Sequence, residues 1–188
     1  RYGGRRADEM SADRPGSAFC ALIVMGVSGS GKSTIADALG QRLGWVVEDG
    51  DAFHPASNVQ KMSAGIPLTD EDRLPWLRAI AAEIDRKRST STNVIIACSA
   101  LKRGYRDILV QGHPDTRIVY LRGDKDLIAD RLNARTGHFM PPGLLDSQFR
   151  TLEEPTEDEH PLVVDIDATV EQIADRIVTL LDQNRGTP

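Results

Sequence analysis

The sequence predicts an α/β fold in which a five-stranded parallel sheet is covered by helices on both faces. Three observations carry that expectation. Residues 26–33 read Gly26-Val27-Ser28-Gly29-Ser30-Gly31-Lys32-Ser33, which meets the phosphate-loop pattern G-x-x-x-x-G-K-[ST] without a mismatch. An apolar run of strand length, Cys20 to Met25, precedes it, and a stretch with Ile35, Leu39 and Leu43 on one helical face follows it. From there to the end of the chain, apolar runs and amphipathic stretches alternate. That alternation is typical of a parallel sheet whose ligands lie at the carboxyl ends of its strands.

Taken in order, residues 1–18 are polar and rich in Gly and Arg, and are expected to be disordered. Met10 offers a native start within them, so the first residues read as a remnant. A single domain is expected over 19–184, with 185–188 a flexible C-terminus. Its second strand is Trp45-Val46-Val47-Glu48, running into the acidic loop Asp49-Gly50-Asp51. The third, Asn93 to Cys98, is apolar enough to be buried on both faces. Thr116–Leu121 and Leu162–Ile166 make the fourth and fifth. Helical patterns lie at 74–88, 102–111, 125–135, 143–152 and 169–184. Pro75 suits a first helical turn, where its missing N–H costs nothing, and Trp76 and Leu77 read as core.

Composition narrows the function. The 188 residues carry a net charge of −5 and no long basic block, which argues against nonspecific nucleic-acid binding. No apolar stretch approaches eighteen residues and no signal-peptide core is visible, so a soluble cytoplasmic protein with no membrane partner is expected. The two cysteines, Cys20 and Cys98, lie in strand-like runs without zinc spacing and read as buried, reduced thiols.

The phosphate loop has a mechanical logic. Its glycines let consecutive N–H groups turn inward to phosphate oxygens, and the following helix adds the positive end of its dipole. Gly26, Ser28, Gly29, Ser30, Gly31, Lys32, Ser33 and Thr34 are therefore candidate contacts to ATP. Lys32 would reach the β- and γ-phosphates, and the Ser33 hydroxyl would ligate Mg²⁺. A switch GTPase would need N/T-K-x-D, but Gly123-Asp124-Lys125-Asp126 is followed by Leu127, which fails on spacing. A transporter ATPase would carry an acid ending a strand, whereas the third strand ends Ala97-Cys98-Ser99. The acids after the second strand then become the candidates, with Asp49 holding a Mg²⁺-bound water and Asp51 receiving a hydroxyl proton.

A longer pattern points to the acceptor. The segment Asp49-Gly50-Asp51-x-x-His54-Pro55-x-x-Asn58-x-x-Lys61-Met62-x-x-Gly65-x-Pro67-Leu68-x-Asp70-x-Asp72-Arg73-x-Pro75-Trp76-Leu77 resembles the signature of the gluconate kinases. So do Cys98-Ser99-Ala100-Leu101-Lys102-x-x-Tyr105-Arg106 and Arg131-Leu132-x-x-Arg135-x-x-His138-Phe139, followed by Gln148 and Leu152-Glu153-x-Pro155. The resemblance spans about residues 20–182. It implies a P-loop kinase fold, phosphorylation of D-gluconate on its 6-hydroxyl with ATP and Mg²⁺, and a homodimer.

The residues fit that chemistry on their own terms. Gluconate is a polyol with one carboxylate, so its site needs a fixed cation and several hydrogen-bonding groups. His54, Lys61, Arg73 and Arg106 follow strands two and three on the phosphate-loop side, and arginine offers a carboxylate a bidentate fork. Gln148 and His138 complete the candidate substrate set, with Asp51. Arg131 and Arg135, four apart on one helical face, precede the Gly/Pro-rich segment 136–143. That segment reads as a mobile lid that would bring arginine to the phosphates, with Arg131 catalytic, and exclude water. The alternative for these arginines is pairing with Asp126, Asp130 or Asp146. The loop 165–169 is the expected place of the adenine. Two rival readings share the phosphate loop: a kinase of shikimate or a nucleoside monophosphate, and a nucleotide-binding protein that senses gluconate without turning it over.

Overall fold

A computed structural model describes residues 18–135 and 143–185. Its five strands are β1 (Ala21–Met25), β2 (Val46–Asp49), β3 (Val94–Ala97), β4 (Thr116–Arg122) and β5 (Leu162–Asp165). They form one sheet in the order β2-β3-β1-β4-β5, with every adjacent pair parallel. The seven helices described are α1 (Lys32–Leu43), α2 (Ala56–Ser63), α3 (Asp70–Ser89), α4 (Arg103–Val110), α5 (Lys125–Ala134), α6 (Leu144–Thr151) and α7 (Val170–Arg185). The predicted five-stranded parallel sheet with helices on both faces is thus present. Among the described residues no helix is long and apolar enough to cross a membrane.

The alternation of side chains along each strand sorts the core into two layers. Leu22, Val24, Ile95, Val119 and Val164 face α1 and α7, where Ile35, Leu39, Ile173 and Ile177 meet them. Ala21, Ile23, Val94, Ile96 and Ile118 face the other way, onto Trp76, Leu77, Ile80 and Ile84 of α3 and Leu109 of α4. Strand β1 is fully buried on both faces, which is why its sequence is a continuous apolar run and not an alternating one.

Helix α3 departs from the sequence expectation. It begins at Asp70 and not near 74, because Thr69 and Asp72 form a reciprocal cap: Asp72 N–H donates to Thr69 Oγ1 at 3.1 Å, and Thr69 N–H donates to Asp72 Oδ2 at 3.0 Å. Pro75 consequently falls in the second turn and not the first, and its missing N–H leaves the carbonyl of exposed Glu71 to water. Helix α2 and the short 3-10 turn Gly50–Phe53 have no counterpart among the helical patterns of the sequence. Both are brief and polar, with Gly50 and Asn58 their buried positions, so neither shows a hydrophobic period. The expected disordered segment, apart from Ala18, and most of the expected lid lie outside the described residues.

Both cysteines are buried, Cys20 beside β1 and Cys98 just past β3. Burial raises both thiols, and Cys98 is pushed up to about 12. A thiol held that high is almost wholly protonated at pH 8, and only the thiolate attacks a disulfide reagent. The folded protein should therefore be silent to Ellman's reagent at pH 8 and release two equivalents in denaturant. A full equivalent released from the native protein would contradict this burial.

Candidate active site

The phosphate loop joins the end of β1 to the start of α1, at the middle of the sheet's carboxyl edge. Gly29 has a φ of +84°, and a Cβ there would stand 2.7 Å from the Leu132 side chain of α5, so the position demands glycine twice over. Lys32 Nζ donates to the loop's own Gly26 and Val27 carbonyls at 3.1 and 3.2 Å. Burial lowers its pKa, and the Asp51 carboxylate foremost, with Asp49, works against that shift. Ser30 Oγ is buried and has no partner among the described residues. A lysine resting only on carbonyls beside an orphaned buried hydroxyl suits an oxygen-rich anion.

The acids arrive from β2. Asp49 ends the strand and Asp51 sits in the 3-10 turn, where Asp49 Oδ1 accepts the Asp51 N–H at 2.9 Å. A Cβ on Gly50 would lie 2.6 Å from the Ala97 carbonyl, so glycine lets this turn close on the end of β3. Trp76 Nε1 donates to the Gly50 carbonyl at 2.8 Å and pins the turn from α3. The His54 ring stacks on Trp76 with centroids 4.2 Å apart. The Asn58 amide nitrogen donates to the Asp72 carbonyl at 2.8 Å and lies 3.2 Å from His54 Nδ1, so Nδ1 accepts and the ring proton belongs on Nε2. Burial lowers the His54 pKa, opposed by Asp51 and reinforced by Arg73, which keeps the ring neutral near pH 7.

Arg73 Nη1 donates to the Leu68 carbonyl at 2.7 Å and lies 3.4 Å from the Tyr105 hydroxyl. Tyr105 hydrogen-bonds to Asp70, and Lys102 Nζ reaches the same carboxylate at 3.1 Å. Lys32 is therefore within electrostatic reach of Asp51 and Asp49, and His54 within reach of Asp51 and Arg73. Lys102, Tyr105 and Asp70 stood in the matched strings but received no role from sequence. Their signal was faint, because α3 and α4 meet only in the folded chain.

Several expected ligands are placed differently. Lys61 is engaged by both oxygens of Asp72, at 2.9 and 2.8 Å, an ion pair that draws Asp72 down to about 2. Arg106 was expected to bind substrate, and here the structure corrects the sequence. Its side chain is 1% exposed and forms a fork onto Glu159, at 2.7 and 3.2 Å, and onto the Ala100 and Leu101 carbonyls. Gln148, also expected at the substrate, bonds through its amide to Ser28 of the phosphate loop. Arg131 donates to the Ile166 carbonyl after β5, in the loop expected to receive adenine, and not to the phosphate loop. Arg135 is exposed at the end of α5, Ser33 and Thr34 are exposed in the first turn of α1, and His138 lies outside the described residues. A cavity of about 690 Å³ near Arg103, His113, Arg117 and Asn184 lies at the start of β4, the edge of the sheet opposite the loop.

Comparison with known proteins places this geometry. The AAA domain family model matches residues 22–155. The thermoresistant gluconokinase of Escherichia coli is 43% identical over 87% of this chain and 94% of that protein. The gluconokinase of Gluconobacter oxydans is 48% identical over 73% of this chain and 78% of that one. The crystal structure of a gluconokinase from Sinorhizobium meliloti superimposes with a TM-score of 0.80 at 41% identity, covering 89% of this chain and 95% of that one.

The buried Arg106–Glu159 pair yields a stability test. Glu159→Ala leaves the guanidinium without its counter-charge in a dry place, and breaking such a pair typically costs about 3 kcal/mol or more. Urea unfolding should show that loss, whereas Asp107→Ala, whose ion pair with Arg103 is exposed, should change stability by less than about 1 kcal/mol.

Proposed function

The chain belongs to the gluconokinase family, and we propose that it transfers the terminal phosphoryl group of ATP to the 6-hydroxyl of D-gluconate, giving 6-phosphogluconate and ADP. The observation that carries this reading is the meeting of the phosphate loop with the acidic turn after β2: the desolvated Lys32 feels the Asp51 and Asp49 carboxylates, and His54 feels Asp51 and Arg73.

The loop N–H groups and the start of α1 receive the phosphates. Lys32 exchanges the Gly26 and Val27 carbonyls for β- and γ-phosphate oxygens, and the Ser30 hydroxyl gains the partner it lacks. The donor set also fits Mg²⁺. Ser33 and, through water, Asp49 offer hard oxygens, and the described residues contain no cluster of three or more His, Cys, Asp or Glu. An ion bound mainly through nucleotide phosphates and one carboxylate is the ordinary arrangement for magnesium. When bound, it neutralises charge on the β- and γ-oxygens.

As the 6-oxygen forms its bond to phosphorus, the bond to the ADP oxygen breaks, and the hydroxyl proton passes to Asp51. Arg73 reads the gluconate carboxylate with the N–H groups its two bonds leave over, and His54 offers its Nε2–H to the polyol. Lys61 contributes through Asp72, whose backbone carbonyl holds Asn58 and hence His54. A cytoplasmic setting, with ATP and reduced thiols, suits both the reaction and the two buried cysteines.

The deciding measurement is ADP release across a panel of acceptors. Gluconate should be turned over, and glucose, which lacks the carboxylate, should be rejected by on the order of 10⁴ in kcat/KM. Arg73→Ala should raise KM for gluconate and narrow that gap. A preference for shikimate or a nucleoside monophosphate would overturn the assignment, and binding without turnover would make the protein a sensor. Lys32→Ala should lower kcat by about 10²–10³ in a folded protein.

The two acids should separate in a magnesium titration. Asp49→Asn should shift the Mg²⁺ requirement upward, while Asp51→Asn should lower kcat with the Mg²⁺ midpoint unchanged. Identical responses would abolish the division of roles.

A further inference from the structure

Gln148 of α6 meets Ser28, the third residue of the phosphate loop, through a closed pair of hydrogen bonds. Ser28 N–H donates to Gln148 Oε1 at 2.6 Å, and Gln148 Nε2 donates to Ser28 Oγ at 2.9 Å. The orientation of an amide is ordinarily an inference from its surroundings. Here the backbone N–H can only donate, so the amide oxygen must face it, and the NH₂ group is thereby forced onto the hydroxyl. A serine hydroxyl has one proton to give and two lone pairs to offer. Gln148 fills a lone pair, and among the described residues no acceptor takes the Ser28 proton.

The place of this hydroxyl matters. Lys32 Nζ rests on the carbonyls of Gly26 and Val27, the two residues immediately before Ser28. That ammonium marks the end of the loop where β- and γ-phosphates meet it. We propose that Gln148 is a positioning residue that fixes the Ser28 hydroxyl as a hydrogen-bond donor to the terminal phosphoryl group, so that Gln148 and Ser28 act as one unit in the transfer step. The proposal rests on the kinase reading above and adds a role to these two residues. Gln148→Glu is the discriminating change. A carboxylate still accepts from Ser28 N–H, but it cannot donate to Oγ, so it takes the hydroxyl proton for itself and turns the donor away from the phosphate.

The test uses the full chain, with ATP turnover measured with gluconate and without it, alongside thermal unfolding. Ser28→Ala and Gln148→Ala should each lower kcat by roughly tenfold to a hundredfold, the range for a hydrogen bond to a charged group, with KM for gluconate unchanged. The double variant should be no slower than the slower single one, since partners in one unit are not additive. Gln148→Glu should fall at least as far as Gln148→Ala with an unchanged Tm, and Ser28→Thr should retain most of the rate. Additive losses, rates within about threefold of the unmutated protein, or losses that track Tm would overturn the proposal. Gluconate turnover by the unmutated chain tests the kinase reading separately. Without it, the same series is scored on gluconate-independent ATP turnover.

Discussion

The architecture depends on the complete burial of β1. A strand with no exposed face must lie inside the sheet, and here β3 and β4 flank it in register on either side. Because all five strands are parallel, their carboxyl ends open on one edge, and the loop leaving the central strand occupies the middle of it. The acid-bearing end of β2 and the end of β3 then converge from one side. Arg122 and the loop after β5 border the other, with Ile166 N–H bonded to the Arg122 carbonyl. A parallel sheet therefore concentrates chemistry from residues far apart in sequence along a single line.

Charge in the cleft is largely balanced before any ligand arrives. Lys61 is matched by Asp72, Lys102 by Asp70, and Lys32 leans on carbonyls near Asp51. Pre-pairing of this kind holds cations in place without burying bare charge, which would be costly. An anionic substrate or phosphate competes for groups that are already oriented, so less ordering is required when it binds. Arg73, stacked 5.7 Å from the Tyr105 ring centre and bonded to a carbonyl, is held this way without a carboxylate of its own in the described bonds.

Relatives near 40% identity across most of the chain fix the family. The phosphate loop, Lys32 and the acid pair would serve any small-molecule kinase, so on the proposed reading discrimination between acceptors falls to side chains of α2, α3 and α4. Helices α3 and α4 are held by Trp76 on Gly50 and by Glu159 on Arg106. A substitution there can alter selectivity without touching the chemistry of transfer.

The sequence by itself determined the local features. The glycine-rich loop, the apolar runs of β1 and β3, and the acids Asp49 and Asp51 just after the second apolar run are all written in contiguous residues, and strand and helix periods are read over short windows. Helix α3 was misjudged at its start because a cap depends on two side chains closing on each other. Tertiary structure alone decided the strand order and the partner of each charged side chain. Arg106 and Arg73 are the same residue type in equally well-matched strings, yet one is sealed against Glu159 and the other borders the cleft. Gln148 lies 120 residues from Ser28, and no spacing rule joins them. Pairing of distant side chains is set by how helices pack on the sheet, and the chain expresses that only once it has folded.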